Sequence, residues 1–107
     1  MGDENNQQLI KFIMKFLDFV NKKYKRISIK TLLILHHLHE HKDTGETFNT
    51  TYYSKIIGSS TQSAAMIISR LEKRGLVNKT RNSFDERLVK ITLTKKGEQI
   101  TRDIFEF

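Results

Sequence analysis

The part of this chain that specifies its architecture is residues 59–97, which read SSTQSAAMIISRLEKRGLVNKTRNSFDERLVKITLTKKG. Its first half predicts a helix, because the apolar residues recur at the three-and-four spacing that aligns them on one side: Ala64, Ile67, Ile68 and Leu71. Ser59 or Ser60 can accept a hydrogen bond from a backbone N–H three residues later, as residues at helix starts commonly do. Gly75 predicts the end of this helix, since glycine tolerates the left-handed conformation found just past helix ends.

Residues 76–94 predict a two-stranded antiparallel hairpin with one apolar face. Apolar and polar residues alternate on both sides of a polar tip, and Val77, Val89 and Ile91 share the apolar side with Leu93. The tip carries arginines at both ends. A capped helix with a polar exposed side, followed directly by such a hairpin, suits a DNA duplex: the helix enters the major groove and the hairpin crosses phosphates or the minor groove.

Three runs in this region resemble the MarR family of winged-helix transcription regulators: RLEKRGLV, KTRNSFDERLV and LTKKG, at residues 70–77, 79–89 and 93–97. The hairpin tip is most similar to the SarA-like branch of that family. The resemblance implies an α+β, mostly helical winged helix-turn-helix fold in the order α-α-β-α-α-β-β-α, with a long N-terminal and a short C-terminal helix. Residues 1–107 are then one DNA-binding domain, with the helix-turn-helix at 51–74 and the wing at 76–94.

The family's pattern assigns one face of the predicted helix to the major groove: Ser60, Thr61, Gln62, Ser63, Met66, Ser69 and Arg70. Gln62 is the expected base reader, because its amide can pair bidentately with adenine. Met66 and Ala65 depart from the polar residues of many relatives at these positions. We therefore expect sparse base readout, with a larger share of recognition from DNA shape and phosphates.

On the wing, the resemblance implies that Arg87 reaches the minor groove or its phosphates and that Asp85 orients an arginine through a charge-assisted pair. The expected supporting contacts come from Lys79, Arg81, Ser83 and Lys90. The alternative is an exposed hairpin in which Asp85 pairs only with a neighbouring arginine.

Composition favours an acidic partner and excludes several kinds of chemistry. The 107 residues suffice for one domain with a modest core, and the net charge is +7 with a pI of about 9.8. Residues 55–102 hold 11 basic and 4 acidic side chains, which favours double-stranded DNA as the partner. The absence of cysteine excludes disulfides and thiol-based oxidation sensing. No nucleophile–base constellation or phosphate loop indicates an enzyme, and no cofactor is predicted.

The N-terminal region predicts a tail over residues 1–6 and a dimerisation helix over 7–24. This helix is more apolar than one buried face requires, and the resembling family pairs its subunits through terminal helices. The alternative is a central helix wrapped by its own chain. Because the C-terminal helix is short, most of the expected interface falls on the N-terminal helix: Leu9, Ile10, Phe12, Ile13, Phe16, Leu17, Phe19 and Val20, with Ile104 and Phe105.

No signal peptide or membrane span is predicted, so we expect a cytoplasmic protein without a membrane partner. Residues 1–8 are polar and acidic, and Lys11, Lys15 and Asp18 interrupt the short apolar run behind them. Nothing in the sequence identifies a small-molecule ligand. The basic cluster at residues 22–26 is either a solvated turn or a phosphate contact.

In the middle of the chain, Ser28 is expected to cap a helix that runs to about residue 42 and buries Ile29, Leu32, Leu33, Leu35 and Leu38. Residues 46–50 predict a third strand beside the hairpin. Residues 51–57 predict a short helix that buries Tyr52, Tyr53, Ile56 and Ile57 and exposes Ser54 and Lys55.

All four histidines fall on the helix that Ser28 caps: His36, His37, His39 and His41. Their one-turn spacings are compatible with a surface metal site, but two imidazoles do not complete one, and a solvated helix end explains the same residues. We predict no metal.

Three functions compete at this stage. The first is a homodimeric transcriptional regulator on a roughly palindromic operator. The second is a winged-helix accessory protein of plasmid or phage replication, partition or transfer. The third is a protein-binding winged-helix adaptor whose basic hairpin faces an acidic partner.

Overall fold

The computed structural model describes residues 2–24, 27–81 and 89–106, and for residues 2–4, 81 and 89 it describes the backbone alone. The elements follow in the order α1 (Gly2–Lys23), α2 (Ile29–Glu40), α3 (Thr50–Ile56), α4 (Thr61–Lys73), β1 (Val77–Arg81), β2 (Val89–Leu93) and α5 (Lys95–Phe105). The helices and the antiparallel hairpin form the winged-helix arrangement that the sequence predicts.

Side-chain caps fix where the helices of this arrangement begin. Four helices begin after a capping residue whose side-chain oxygen accepts a hydrogen bond from the backbone N–H three residues later. The capping residues are Ser28, Asn49, Ser60 and Thr94. The caps at Ser28 and Ser60 confirm the sequence prediction. Gly75 has φ +74° directly after α4, as the helix-stop prediction requires.

Helix α2 lies at the centre of the molecule. It packs against α3, α4 and the hairpin on one side, and against the end of α1 and against α5 on the other. The predicted buried stripe is therefore wrong at Ile29 and Leu33, which are exposed, and it omits Ile34 and His39, which are buried. A helix enclosed on two sides buries more of its circumference than one apolar stripe indicates.

Helix α3 also differs from its predicted pattern. Ser54 is buried, and its hydroxyl donates to the Thr51 carbonyl at 2.6 Å, which satisfies the group within the helix. Tyr52 remains 40% exposed, whereas Tyr53 is fully buried. Because its hydroxyl is bonded to the backbone, Ser54 can lie on the buried side of α3, where the sequence predicted Tyr52.

The sheet has two strands in the described part of the chain. Val77 pairs with Leu93 and Lys79 with Ile91 in antiparallel register. Instead of the predicted third strand at residues 46–50, one bridge joins Phe48 to Ile91. Because Asn49 already caps α3, the chain turns into that helix after a single paired residue.

Helix α1 extends to Gly2, so the tail predicted over residues 1–6 is helical from residue 2 onward. No proline occurs in the chain, and no glycine lies between residues 3 and 24, so nothing interrupts a helix once it has formed. In the described part of α1, the second half packs onto the body: Val20 is buried with Ile27, Leu32 and Ile104, and Phe16 and Leu17 lie against this cluster. The molecule measures 53 × 26 × 26 Å.

None of the helices in the described ranges has both the length and the apolar content that crossing a membrane requires.

Candidate nucleic-acid interface

Helix α4 has one face that is buried in the core and an opposite face that is exposed. Ala64, Ile68 and Leu71 are at most 2% exposed and anchor the helix in the core. On the opposite face, the exposed members of the set predicted to meet DNA are Thr61, Gln62, Met66 and Arg70, and Lys73 is exposed one turn further along. The helix therefore presents polar groups and one thioether on a fixed backbone.

The serines of the predicted set have additional roles within the chain. Ser60 Oγ accepts from the Ser63 backbone N–H at 3.1 Å and donates to Ser63 Oγ at 3.2 Å. Ser63 and Ser69 are both half-buried. Ser60 therefore acts first as the helix cap, and the exposed surface consists mainly of Gln62, Met66 and Arg70.

A shallow groove follows the second half of this surface. It is lined by Ala65, Met66, Ser69, Arg70 and Lys73. The apolar groups lie beside two cations, an arrangement that can contact both thymine methyl groups and phosphates.

Lys30 is a further cation at this surface, and sequence reasoning did not single it out. Its Nζ donates to Ser59 Oγ at 2.7 Å, which joins α2 to the turn before α4. The two residues are 29 positions apart, so the contact depends on how α2 packs beside α4. The only feature of the sequence that could have indicated Lys30 is its place in the first turn of α2, directly after the Ser28 cap.

The described part of the wing places its two predicted lysines on opposite faces. Lys79 pairs with Ile91 on the face that also buries Val77, whereas Lys90 pairs with Thr80 on the other face. Lys79 is half-buried and Lys90 is exposed. The register therefore separates two residues that the sequence assigned to one supporting role.

The remaining predicted wing contacts fall at the tip. Ser83, Asp85 and Arg87 lie outside the described residues, and Arg81 is described by its backbone alone.

The base of the wing is fixed to the end of α4 by hydrogen bonds from the start of α5. Thr94 Oγ1 donates to the Gly75 carbonyl at 2.6 Å and accepts from the Gly97 backbone N–H at 2.9 Å. Lys96 Nζ donates to the Arg74 carbonyl at 3.2 Å. The bonds to Gly75 and Arg74 satisfy carbonyls directly after α4 and connect the start of α5 to that end of the helix.

Three of the four histidines lie within the packing rather than at a solvated helix end: His39 is buried and His37 and His41 are half-buried, whereas His36 is exposed. His39 is 5% exposed, and its Nδ1 lies 3.0 Å from Thr101 Oγ1. Because the Thr101 hydroxyl donates to the Glu98 carbonyl at 3.1 Å, the Nδ1–H of His39 is the donor to Thr101. The sequence shows that residue 39 is polar, but it does not show that Thr101 is its hydrogen-bond partner in the interior.

His37 belongs to an aromatic cluster between α2 and α3. Its ring stacks on His41 at 4.3 Å between centroids, and its Nδ1 lies 3.1 Å from the Tyr53 hydroxyl. Burial lowers the pKa of His37, and the charges of His41 and His36 lower it further. Burial also raises the pKa of Tyr53. Within residues 2–24, 27–81 and 89–106, no three metal-binding side chains lie together.

Comparison with known proteins identifies the family. A family model described as transcriptional regulator SarA/Rot matches residues 15–104, which is most of the chain. This chain belongs to the SarA/Rot family of transcriptional regulators. The MarR and SarA-like resemblance is thereby confirmed, and the family consists of regulators rather than enzymes.

Curated and solved relatives agree with membership in the SarA/Rot family. The transcriptional repressor MprA of Escherichia coli K12 is 28% identical over 90 residues, which cover 84% of this chain and 51% of MprA. The SarA/Rot chain thus spans about half the length of the curated relatives it matches.

Two solved structures share the fold. NadR in complex with 4-hydroxyphenylacetate is 26% identical and superposes with a TM-score of 0.75, covering 98% of this chain and 70% of NadR. Reduced AbfR bound to DNA is 24% identical with a TM-score of 0.70, covering 95% of this chain and 72% of AbfR. Both matches agree with the winged-helix assignment of this SarA/Rot family member.

Proposed function

We propose that this chain is a homodimeric transcriptional regulator that binds double-stranded DNA with sequence preference. Helix α4 enters the major groove, and the wing lies on the minor groove or on phosphates. The observation that carries the proposal is the exposed face of α4, where Gln62, Met66 and Arg70 stand opposite a fully buried anchor.

Charge and chemistry support a duplex as the partner of this face. Arg70 and Lys73 follow the helix on the exposed side, and Lys30 is bonded to Ser59 in the turn before it. Cations in this arrangement neutralise phosphates on both sides of a major groove, while Gln62 and Met66 contact base edges. The family and the DNA-bound structure of AbfR support the same partner.

The apolar surface of α1 supports dimerisation. Six large apolar side chains on this helix are 40–60% exposed: Leu9, Ile10, Phe12, Ile13, Met14 and Phe19. Phe12, Phe16 and Phe19 line one open apolar groove together with Lys15. Soluble monomers rarely expose a continuous apolar surface of this kind, so a second copy of α1 is the proposed cover.

The proposed interface is smaller than the set expected from the sequence. Val20 and Ile104 are both fully buried in the chain's own core, and they therefore serve the fold. Phe16, Leu17 and Phe105 are half-buried, so they can contribute an edge to a contact centred on residues 9–19.

The decisive test is selection of bound duplexes from a random pool by the full chain, with the mass of the complex measured in solution. We expect an enriched, roughly palindromic sequence with two chains on each duplex. Failure to bind any duplex at low salt contradicts the proposal and favours the protein-binding alternative. Binding to duplexes with no sequence enriched by the selection favours an architectural role in replication, partition or transfer.

A charge-matched comparison isolates the α4 surface. Arg70→Gln should weaken binding to the selected duplex and reduce the slope of log affinity against log salt by about one unit for each phosphate that the side chain no longer neutralises. Arg102→Gln, on the exposed side of α5, removes the same charge away from α4 and serves as the control. Equal effects of the two changes would mean that net charge, and not the α4 face, determines binding.

A further inference from the structure

A second basic surface lies where the ends of α1 and α4 meet the start of α5. Its rim carries the lysines Lys22, Lys23, Lys73 and Lys96 together with Arg74, and its floor is formed by Tyr24, Ile27, Leu76 and Ile100. We call this surface the lysine groove. Its volume is about 670 Å³, which lies within the usual range of ligand sites.

Among the described residues, one carboxylate pairs with a lysine of the groove. None of its described lining residues is acidic. Lys23 Nζ lies 3.9 Å from Asp103 Oδ2, a long and exposed ion pair, and Lys96 Nζ is bonded to a carbonyl. Lysines near helix C-termini complement the helix dipole, but cations that converge from three helices also repel one another. A polyanion held in the groove would relieve that repulsion.

The floor of the groove favours a charged backbone over an apolar ligand. Ile27 and Leu76 are each 4% exposed, so they belong to the core and offer little apolar surface to a ligand. Tyr24 and Ile100 on the floor are half-buried, whereas the four lysines of the rim are exposed, so the rim is the more accessible part of the groove. Such a rim suits phosphates spaced along a chain, because each lysine can reach a separate phosphate.

Lys73 connects this groove to the surface of α4. It lines the lysine groove and also the shallow groove that contains Met66 and Arg70. Because Lys73 belongs to both grooves, the lysine groove adjoins the surface on which the proposed duplex lies. The molecule measures 26 Å in each of its two shorter dimensions, less than the ~34 Å of one turn of B-DNA, so a duplex on α4 extends past the chain.

We propose that the lysine groove binds the phosphate backbone of the duplex whose major groove receives α4, beyond the base pairs that α4 contacts. The inference rests on the proposed function. It assigns to Lys22, Lys23 and Lys96 a sequence-independent contact that lengthens the DNA footprint of each chain.

The test combines two duplex lengths with two pairs of substitutions. The selected site is embedded in a duplex of about two helical turns, roughly 21 base pairs, and in one of about four turns, roughly 42 base pairs, with scrambled flanks. Lys22→Gln/Lys96→Gln is compared with Lys11→Gln/Lys42→Gln, which removes equal charge outside the groove. Because Lys96 also bonds to the backbone, Lys22→Gln/Lys23→Gln serves as a second groove variant that leaves that bond intact.

We expect both groove variants to bind the short duplex as the unchanged protein does. On the long duplex they should lose affinity, and the salt slope should fall by about one unit per lysine that contacts a phosphate. The control pair should leave the length dependence intact. Thermal unfolding of each variant verifies that the fold is retained.

Three results would overturn the inference. The first is wild-type affinity and salt slope of both groove variants on the long duplex. The second is an equal decrease in affinity on both lengths, which would place these lysines at the α4 site itself. The third is binding of polyglutamate that depends on the groove lysines while DNA affinity does not, which would indicate an acidic protein partner. Failure of the unchanged protein to bind either duplex is a separate result, since it refutes the proposed function as well.

Discussion

The α carbon of Gly97 faces the carbonyl oxygen of Leu76 so closely that no side chain fits between them. Gly97 lies in the first turn of α5, and Leu76 leads from the end of α4 into the wing. Gly97, the last residue of the KKG run, is thus required by packing, because the backbone of α5 contacts the base of the hairpin.

Gly97→Ala should destabilise the fold by about 1–3 kcal/mol, because the new methyl group must displace backbone atoms and not a flexible side chain. Urea denaturation measures the change. Gln99→Ala, at an exposed position on the same helix, should change the free energy of unfolding by less than about 0.5 kcal/mol. A Gly97→Ala protein as stable as the unchanged chain would show that α5 does not pack against Leu76 in this way.

Thr101→Val should cost about 1–3 kcal/mol of stability, because it removes the oxygen that accepts from the buried Nδ1–H of His39. Thr92→Val is the matched control, since Thr92 is exposed on β2. If the hydrogen bond carries the effect, His39→Leu combined with Thr101→Val should cost less than the sum of the two single changes. Additive costs would mean that the two side chains act independently.

The free energy of unfolding should decrease as the pH falls below about 6.5, the ordinary pKa of His37. In the folded chain, burial and the neighbouring imidazoles of His41 and His36 lower the pKa of His37, and Glu46 opposes them only in part. The unfolded chain therefore binds a proton at a pH at which the folded chain does not, so acidification favours unfolding.

Urea denaturation between pH 5.5 and 7.5 measures that dependence, with His37→Phe as the informative variant. Phenylalanine retains the ring contacts but cannot titrate, so the stability of this variant should vary less with pH than that of the unchanged protein. Gln99→Ala, at an exposed position on α5 and without a titratable group, is the control. The same pH dependence in His37→Phe as in the unchanged chain would exclude His37 as the source.

Phe12→Glu should convert the proposed dimer to a monomer, because it places a charge on an apolar face whose Phe12 side chain is 60% exposed. Analytical ultracentrifugation measures the change in mass. Lys11→Glu, one position away on the polar strip, should leave the dimer intact. A monomeric unchanged protein at micromolar concentration would contradict the dimer before any substitution is made.

Gln62→Ala should relax the preference at one base position in each half-site, since it removes an amide that can pair bidentately with adenine. The effect should be about 1–3 kcal/mol of discrimination at that position, read from a repeated selection experiment. Thr92→Ala lies away from α4 and should leave the base profile unchanged. An unaltered profile for Gln62→Ala would mean that α4 does not read bases through this residue.

Much of the winged helix was predictable because its signals are local. Ser60, Gly75 and the alternation along the hairpin each depend on residues a few positions apart, and the structure shows the cap, the positive φ and the antiparallel register. The exposed face of α4 follows from the same periodicity.

What could not be predicted depends on partners that are distant in the sequence. His39 is buried because Thr101, 62 positions away, provides its hydrogen bond. Ile34 is buried because α2 is enclosed on two sides, and Lys30 reaches Ser59 only after α2 packs beside α4. Neither periodicity nor composition encodes these distances.

The exposed apolar residues of α1, which lie between residues 9 and 19 and which we call the apolar arm, also affect how operator occupancy depends on the amount of the protein. If two chains must meet through this arm before an operator is occupied, the concentration of the active species depends on the square of the free-chain concentration when dimers are scarce. Halving the supply of chain then reduces the active species about fourfold, where a monomer would decrease only by half. The same side chains that leave α1 uncovered would thus make the response of a promoter steep with respect to expression of its regulator.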